Sequence, residues 1–204
     1  MTEATAPNRF ARRRQKTREA IIGAAVSLYQ TKGVQVTSLE EICERADVAV
    51  RTFFNHFETR ENLHEAIAHQ RAVELARIVG GTANDDRPFV VRLEAVFSQI
   101  ADYLAERPAY RDFVGEMLQV HPARGSQLVR GESLSESARA FVESGIARNE
   151  IETTLPAHAL ADVLLGAITI AISNWSAASG YDVRQGMREA AAVLRAICET
   201  NTEA

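Results

Sequence analysis

Apolar side chains recur every three to four positions along almost the whole chain, and no stretch sustains apolar-polar alternation; GVQVT at 33–37 is too short to make a strand. The pattern predicts an all-α fold of about nine helices. A first helix over about 14–32 puts Ile21, Ala25 and Leu28 on one face with Ile22, Val26 and Tyr29 beside them, and Gly33 is suited to end it. A second begins at Thr37, which has the spacing of a capping box with Glu40, and its apolar side is Leu39, Ile42, Cys43 and Ala46. Asp47-Val48-Ala49 turns the chain into a third helix over 50–56. A longer helix over about 60–79 precedes GGTANDD at 80–86, a stretch of turn formers read as a linker.

Proline punctuates the remainder. Pro88 opens a helix with Leu93, Val96, Phe97, Ile100 and Leu104 inward, and that helix stops at Arg107 because Pro108 disfavours helix in the residue before it. Pro108 suits the first turn of the next, which carries Tyr110, Phe113, Val114, Met117 and Leu118. Beyond His121-Pro122 a segment to about Arg148 holds Leu128, Leu134, Phe141, Val142 and Ile146. The last two helices, over 156–178 and 182–200, are parted by Ser179-Gly180-Tyr181. Two domains are expected, 1–59 and 60–204.

Charge changes this picture more than composition does. The 204 residues are 46% hydrophobic and 25% charged, the balance of an ordinary folded protein, and the net charge is -4. Its distribution is uneven. Residues 1–18 carry Arg9, Arg12, Arg13, Arg14, Lys16 and Arg18 against Glu3; residues 1–60 hold a net +3, which leaves -7 for 61–204. A basic end on an acidic body suits one surface that attracts polyanions and another that repels them. The longest strongly apolar run, 163–172, is half of the roughly 20 residues a membrane helix needs, so no membrane span is expected. No apolar run follows the N-terminal charges, so no secretory signal is expected either, and two distant cysteines, Cys43 and Cys198, suit a reducing compartment. The expected location is cytoplasmic.

The first three helices, with a tight turn before a short helix of small and polar outward residues, make a helix-turn-helix. Over residues 17–63, TREAIIGAAVSLYQTKGVQVTSLEEICERADVAVRTFFNHFETRENL resembles the N-terminal domain of the tetracycline-repressor (TetR) family without a gap. The match takes in Lys32-Gly33, Thr37, Ile42, Ala46, the turn, and FFNHF followed by Glu61 and Leu63. The resemblance implies a three-helix DNA-binding domain followed by a larger helical domain for ligand binding and dimerisation. It implies that Thr37 and Ser38 meet phosphate at a helix start and that Arg51 and Thr52 meet base edges. Asn55 and His56 then lie near the groove edge, Arg60 touches phosphate, and Arg12, Arg13, Arg14 and Arg18 reach phosphates or a minor groove, while Phe53 and Phe57 are structural. Three positions depart from the family: Phe54 stands for tyrosine, Asp47 for a turn glycine, and Ala49 for a serine cap.

The resemblance further implies a repressor that binds a palindromic double-stranded operator as a homodimer and is released by a small, largely apolar effector. Dimerisation is expected through the last two helices, whose small residues include Ala161, Gly166, Ala167, Ala171, Ala177, Ala178, Gly186, Ala190 and Ala191. Effector contacts are expected from Tyr103, Tyr110, Phe113, Met117, Phe141, Asn174 and Trp175, because aromatics and methionine line adaptable pockets.

Enzymatic readings fail on spacing. His64-Glu65 with His69 sets the histidines five apart, about 140° around a helix rather than on one face. Glu61 and His64 have the spacing of half a carboxylate di-iron site, and no second pair exists. No catalytic residues, cofactor, metal site or membrane partner are expected.

Overall fold

A computed structural model describes residues 9–120, 132–151 and 153–199. Among these residues the chain is all-α, with no strand and nine helices: α1 Arg9–Lys32, α2 Leu39–Arg45, α3 Val50–Phe54, α4 Arg60–Ala83, α5 Phe89–Ala105, α6 Pro108–Val120, α7 Glu132–Ala147, α8 Ala157–Ala177 and α9 Val183–Glu199. The chain divides into two compact units, 1–67 and 68–204. Leu128, His121-Pro122 and the side chains of Met117 and Leu118 lie outside the described residues.

In the first unit, α1 packs on α2 and α2 on α3 around Ile21, Ala25, Leu28, Tyr29, Ile42, Cys43, Phe53, Phe57 and Leu63. Gly33 ends α1 at φ +89°, a left-handed conformation that glycine adopts without steric cost. The cap of α2 lies one residue later than expected. Ser38, not Thr37, is the cap: its hydroxyl accepts from the Glu41 amide at 3.1 Å, and the Glu41 carboxylate accepts from the Ser38 amide at 3.0 Å. Thr37 is buried instead and donates to the Gly33 carbonyl at 2.7 Å, closing the bend between α1 and α2. Asp47 takes the turn at φ +55°, and Ala49 leaves α3 without a side-chain cap. α3 has five residues, so Asn55 is its C-cap and His56 lies in the turn beyond.

In the second unit, α5 packs on α9, α8 packs on α6, α7 and α9, and the core includes Leu93, Val96, Phe97, Ile100, Leu104, Phe113, Leu134, Phe141, Leu164, Ile168 and Trp175. Pro88 and Pro156 cap α5 and α8, and Pro108 opens α6. The linker expected at 80–86 is partly helical, since α4 runs through Gly80 and Gly81 to Ala83. α8 is long and apolar enough to cross a membrane, unlike the expectation from its shorter run of strong apolar residues. Its inner face of Ala161, Leu164, Leu165, Ile168, Ala171, Ile172 and Trp175 is buried within the unit, while Val163 and Ile170 face outward.

Candidate nucleic-acid interface and effector site

α3 has two contrasting sides. Phe53 is fully buried and packs at 5.6 Å from Phe57, itself 1% exposed, so the aromatic side fixes the helix to the core. Val50, Arg51, Phe54 and Asn55 are exposed, and Thr52 is half-buried. The basic stretch of α1, from Arg9 through Lys16, is exposed as well, including Arg13 and Arg14. Outward cations and hydrogen-bonding groups held by a rigid aromatic anchor can meet a polyanion without losing order.

Two arginines assigned to phosphate are turned to the protein. Arg18 donates to the His56 carbonyl at 3.0 Å and lies 4.2 Å over the Phe57 ring, so it clamps the end of α3. Arg60 donates to the carbonyls of Thr37 at 2.8 Å and Val34 at 2.6 Å, which ties α4 to the bend before α2. The expected phosphate contact at Thr37 is corrected in the same way: its hydroxyl is buried and already donates inward, and the half-buried Ser38 holds the helix start. His56 is half-buried with Nδ1 enclosed and unbonded. Desolvation, followed by the nearby charges of Arg14 and Arg18, pushes its pKa below the ordinary histidine value and favours the neutral ring. His64 is buried with Nε2 at 2.9 Å from the Tyr29 hydroxyl.

The first-unit geometry matches a known pattern. Residues 21–67 fit the model of bacterial regulatory proteins of the tetR family. Residues 21–67 thus carry a tetR-family domain. Among curated relatives, the chain is 33% identical over 69 residues to the uncharacterised HTH-type transcriptional regulator YvkB of Bacillus subtilis, covering 34% of this chain and 36% of that one. The first curated relatives are matched over 36% and 23% of their own length. The whole fold is shared with solved structures: RolR in complex with resorcinol, at TM-score 0.71 and 22% identity over 91% of this chain and 89% of that one, and the transcriptional repressor FadR of Thermus thermophilus in complex with lauroyl-CoA, at TM-score 0.68 and 22% identity over 87% and 93%.

The effector residues expected from sequence do not form one group. Tyr110 stacks on Phe113 at 5.9 Å between ring centroids. Tyr103 donates to Glu74, which also accepts from Arg71 at 3.0 Å, and Arg107 lies 4.0 Å over the Tyr103 ring. Burial, and then the bond to Glu74, pushes the Tyr103 phenol up to about 12; burial, and then Tyr103, raises Tyr110 too. Both phenols therefore stay neutral donors. Phe141 lies elsewhere, fully buried at 5.0 Å from Phe89 and 5.4 Å from the Arg92 guanidinium carbon. Trp175 is buried, but Asn174 is exposed on the outer side of α8 and is corrected as a pocket residue.

A partly open apolar cavity of about 100 Å³ is lined by none of them. Phe89, Leu93, Val142, Ile151, Leu160 and Leu194 are among its walls, and Cys198 reaches it from α9. Ordinary leucines and valines gave no sequence signal to separate this wall from plain core. Arg71 and Glu74, three apart on α4, carried no sequence signal either for their meeting with Tyr103.

Proposed function

We propose that the chain is a DNA-binding transcriptional regulator rather than an enzyme, a cytoplasmic repressor that binds a palindromic operator as a homodimer. The observation that carries this reading is α3: its aromatic side is locked in the core while Arg51 and Asn55 stand exposed beside the basic length of α1. A five-residue helix with that division can enter a major groove, where an arginine offers a bidentate pair to guanine. Arg13, Arg14, Ser38 and Thr52 complete the DNA-facing set in this reading, with His56 at its edge.

The effector is a small, largely apolar molecule. The cavity supports this by its chemistry, since its walls are almost wholly apolar. Two proteins with the same fold are seen with ligands that carry an apolar part, the ring of resorcinol in RolR and the acyl chain of lauroyl-CoA in FadR. Contacts in this cavity come from Phe89, Leu93, Val142, Leu160 and Leu194, and Tyr103, Tyr110, Phe113 and Trp175 are candidates only for a site apart from it. Effector binding lowers DNA affinity by its preference for a conformation in which the paired recognition helices no longer match successive grooves.

The test is selection of genomic fragments on the purified chain, followed by titration of the selected duplex at several salt concentrations. Specific, salt-sensitive binding is expected. Arg51→Ala should lose about 1–3 kcal/mol of discrimination at one base pair of each half-site. Equal binding of all duplexes by parent and variant rules the reading out.

A further inference from the structure

The apolar part of the outward face of α3 has no role in the contacts described so far. Phe54 is 50% exposed and Val50 40% exposed, although a phenyl ring and a valine are costly to leave in water. They are four apart on a helix and so adjoin, and Arg51 is three before Phe54 on the same side. Phe54 touches Phe53 only edge-on, at 5.5 Å between centroids and 86° between planes, which leaves its outer face uncovered. The result is an apolar ridge running beside an exposed guanidinium.

That combination restricts what can cover it. A phosphate is unsuited to Phe54, because phenylalanine has no donor to offer it and the ring would only remove water from the anion. An apolar protein surface is unsuited to a ridge bordered by Arg51, Asn55 and the exposed arginines of α1. Within a major groove the apolar feature that base pairs present is the thymine C5-methyl group. Resting on the DNA reading above, we propose that Phe54, backed by Val50, covers a thymine methyl adjacent to the guanine paired with Arg51. Phe54 thus determines sequence preference, and a thymine next to that guanine is part of each half-site.

The probe is the tightest duplex recovered by fragment selection on the full chain. Each thymine is replaced singly by deoxyuridine, which deletes one methyl and leaves every hydrogen bond in place. Removing a buried methyl is expected to weaken the parent about fourfold at one or two thymines per half-site, next to the guanine whose preference disappears in Arg51→Ala. Phe54→Ala should bind the thymine and deoxyuridine duplexes equally, and Phe54→Leu should retain the difference, with the helical spectrum of both variants matching the parent. A parent that shows less than a twofold effect at every thymine overturns the proposal, as does a Phe54→Ala variant that keeps the full penalty. Binding without a methyl effect removes this proposal alone. Absence of salt-sensitive binding to any duplex removes the DNA reading and this proposal together.

Discussion

Arg60 illustrates how one side chain can carry two readings. From its place after FFNHFET the resemblance gives it a phosphate; in the structure its guanidinium joins the Thr37 and Val34 carbonyls at 2.8 and 2.6 Å. Hydrogen bonds from a charged donor are worth about 1.5–3 kcal/mol each when one partner is removed from a half-buried site. Arg60→Ala is therefore expected to destabilise the first unit by about 2 kcal/mol, and Arg60→Lys to recover only part of this, because one ammonium cannot reproduce the planar fork. Urea unfolding followed by Phe and Tyr fluorescence reads the difference. A pure phosphate contact would instead leave both midpoints at the parent value and change DNA affinity alone. The role was hidden in sequence because the acceptors are main-chain carbonyls more than twenty residues away, which no side-chain pattern records. Phe53 and Phe57, by contrast, are buried anchors as the resemblance implied.

Helix ends were legible where the signal is local and displaced where a distant group supplies it. Gly33, Pro88, Pro108 and Pro156 act through their own backbone and mark the ends they were expected to mark. α4 runs past its two glycines because Arg92, fully buried on α5, donates through Nη1 to the last-turn carbonyls of Ala83 at 3.0 Å and Thr82 at 3.5 Å and to the Ser144 hydroxyl, while Glu150 holds Nη2 on the other side of its guanidinium. Remote capping of this kind replaces the local stop that Gly80 and Gly81 suggest. The start of α2 was misplaced for a different reason: Thr37-Glu40 and Ser38-Glu41 satisfy the same spacing rule, and only the bend at Gly33 decides which hydroxyl is free to cap. Ser38→Ala is accordingly expected to cost about 1 kcal/mol of stability, measured by the shift in chemical denaturation midpoint. A midpoint unchanged by Ser38→Ala would mean that the box contributes nothing to the order of α2.

At the scale of the molecule, the segment 61–204 has a net charge of -7, so two copies repel unless an uncharged face is available. α8 and α9 supply one. Val163, Ile170, Val193 and Ile197 are 43–63% exposed, with Gly166 and Ala167 between the first two leaving room for close approach. Charged residues of α9 are drawn aside within the same chain: Arg184 pairs with Asp102 at 2.9 Å and Arg195 with Glu94 at 3.4 Å, both on α5. Not all the small residues expected to face a partner do so. Ala161, Ala171 and Ala191 are buried in their own unit, and Gly186 lies beneath Tyr181, whose hydroxyl would meet a Cβ there at 1.8 Å. The pattern of small residues does not say which face of these helices is free, because small residues serve close packing equally well within a chain and between chains. If the outward stripe is the dimer contact, the chain sediments at twice its 22.4 kDa, and Ile170→Glu with Val193→Glu brings it to one chain with unchanged helicity. Burying four like charges at a two-fold interface costs several kcal/mol against what a dimer of ordinary size gains, so the effect should be complete at micromolar concentration. The separated chains should still bind DNA weakly through Arg51 but lose the steep preference for two half-sites spaced by about one helical turn. A double variant that remains paired would move the dimer contact away from α8 and α9.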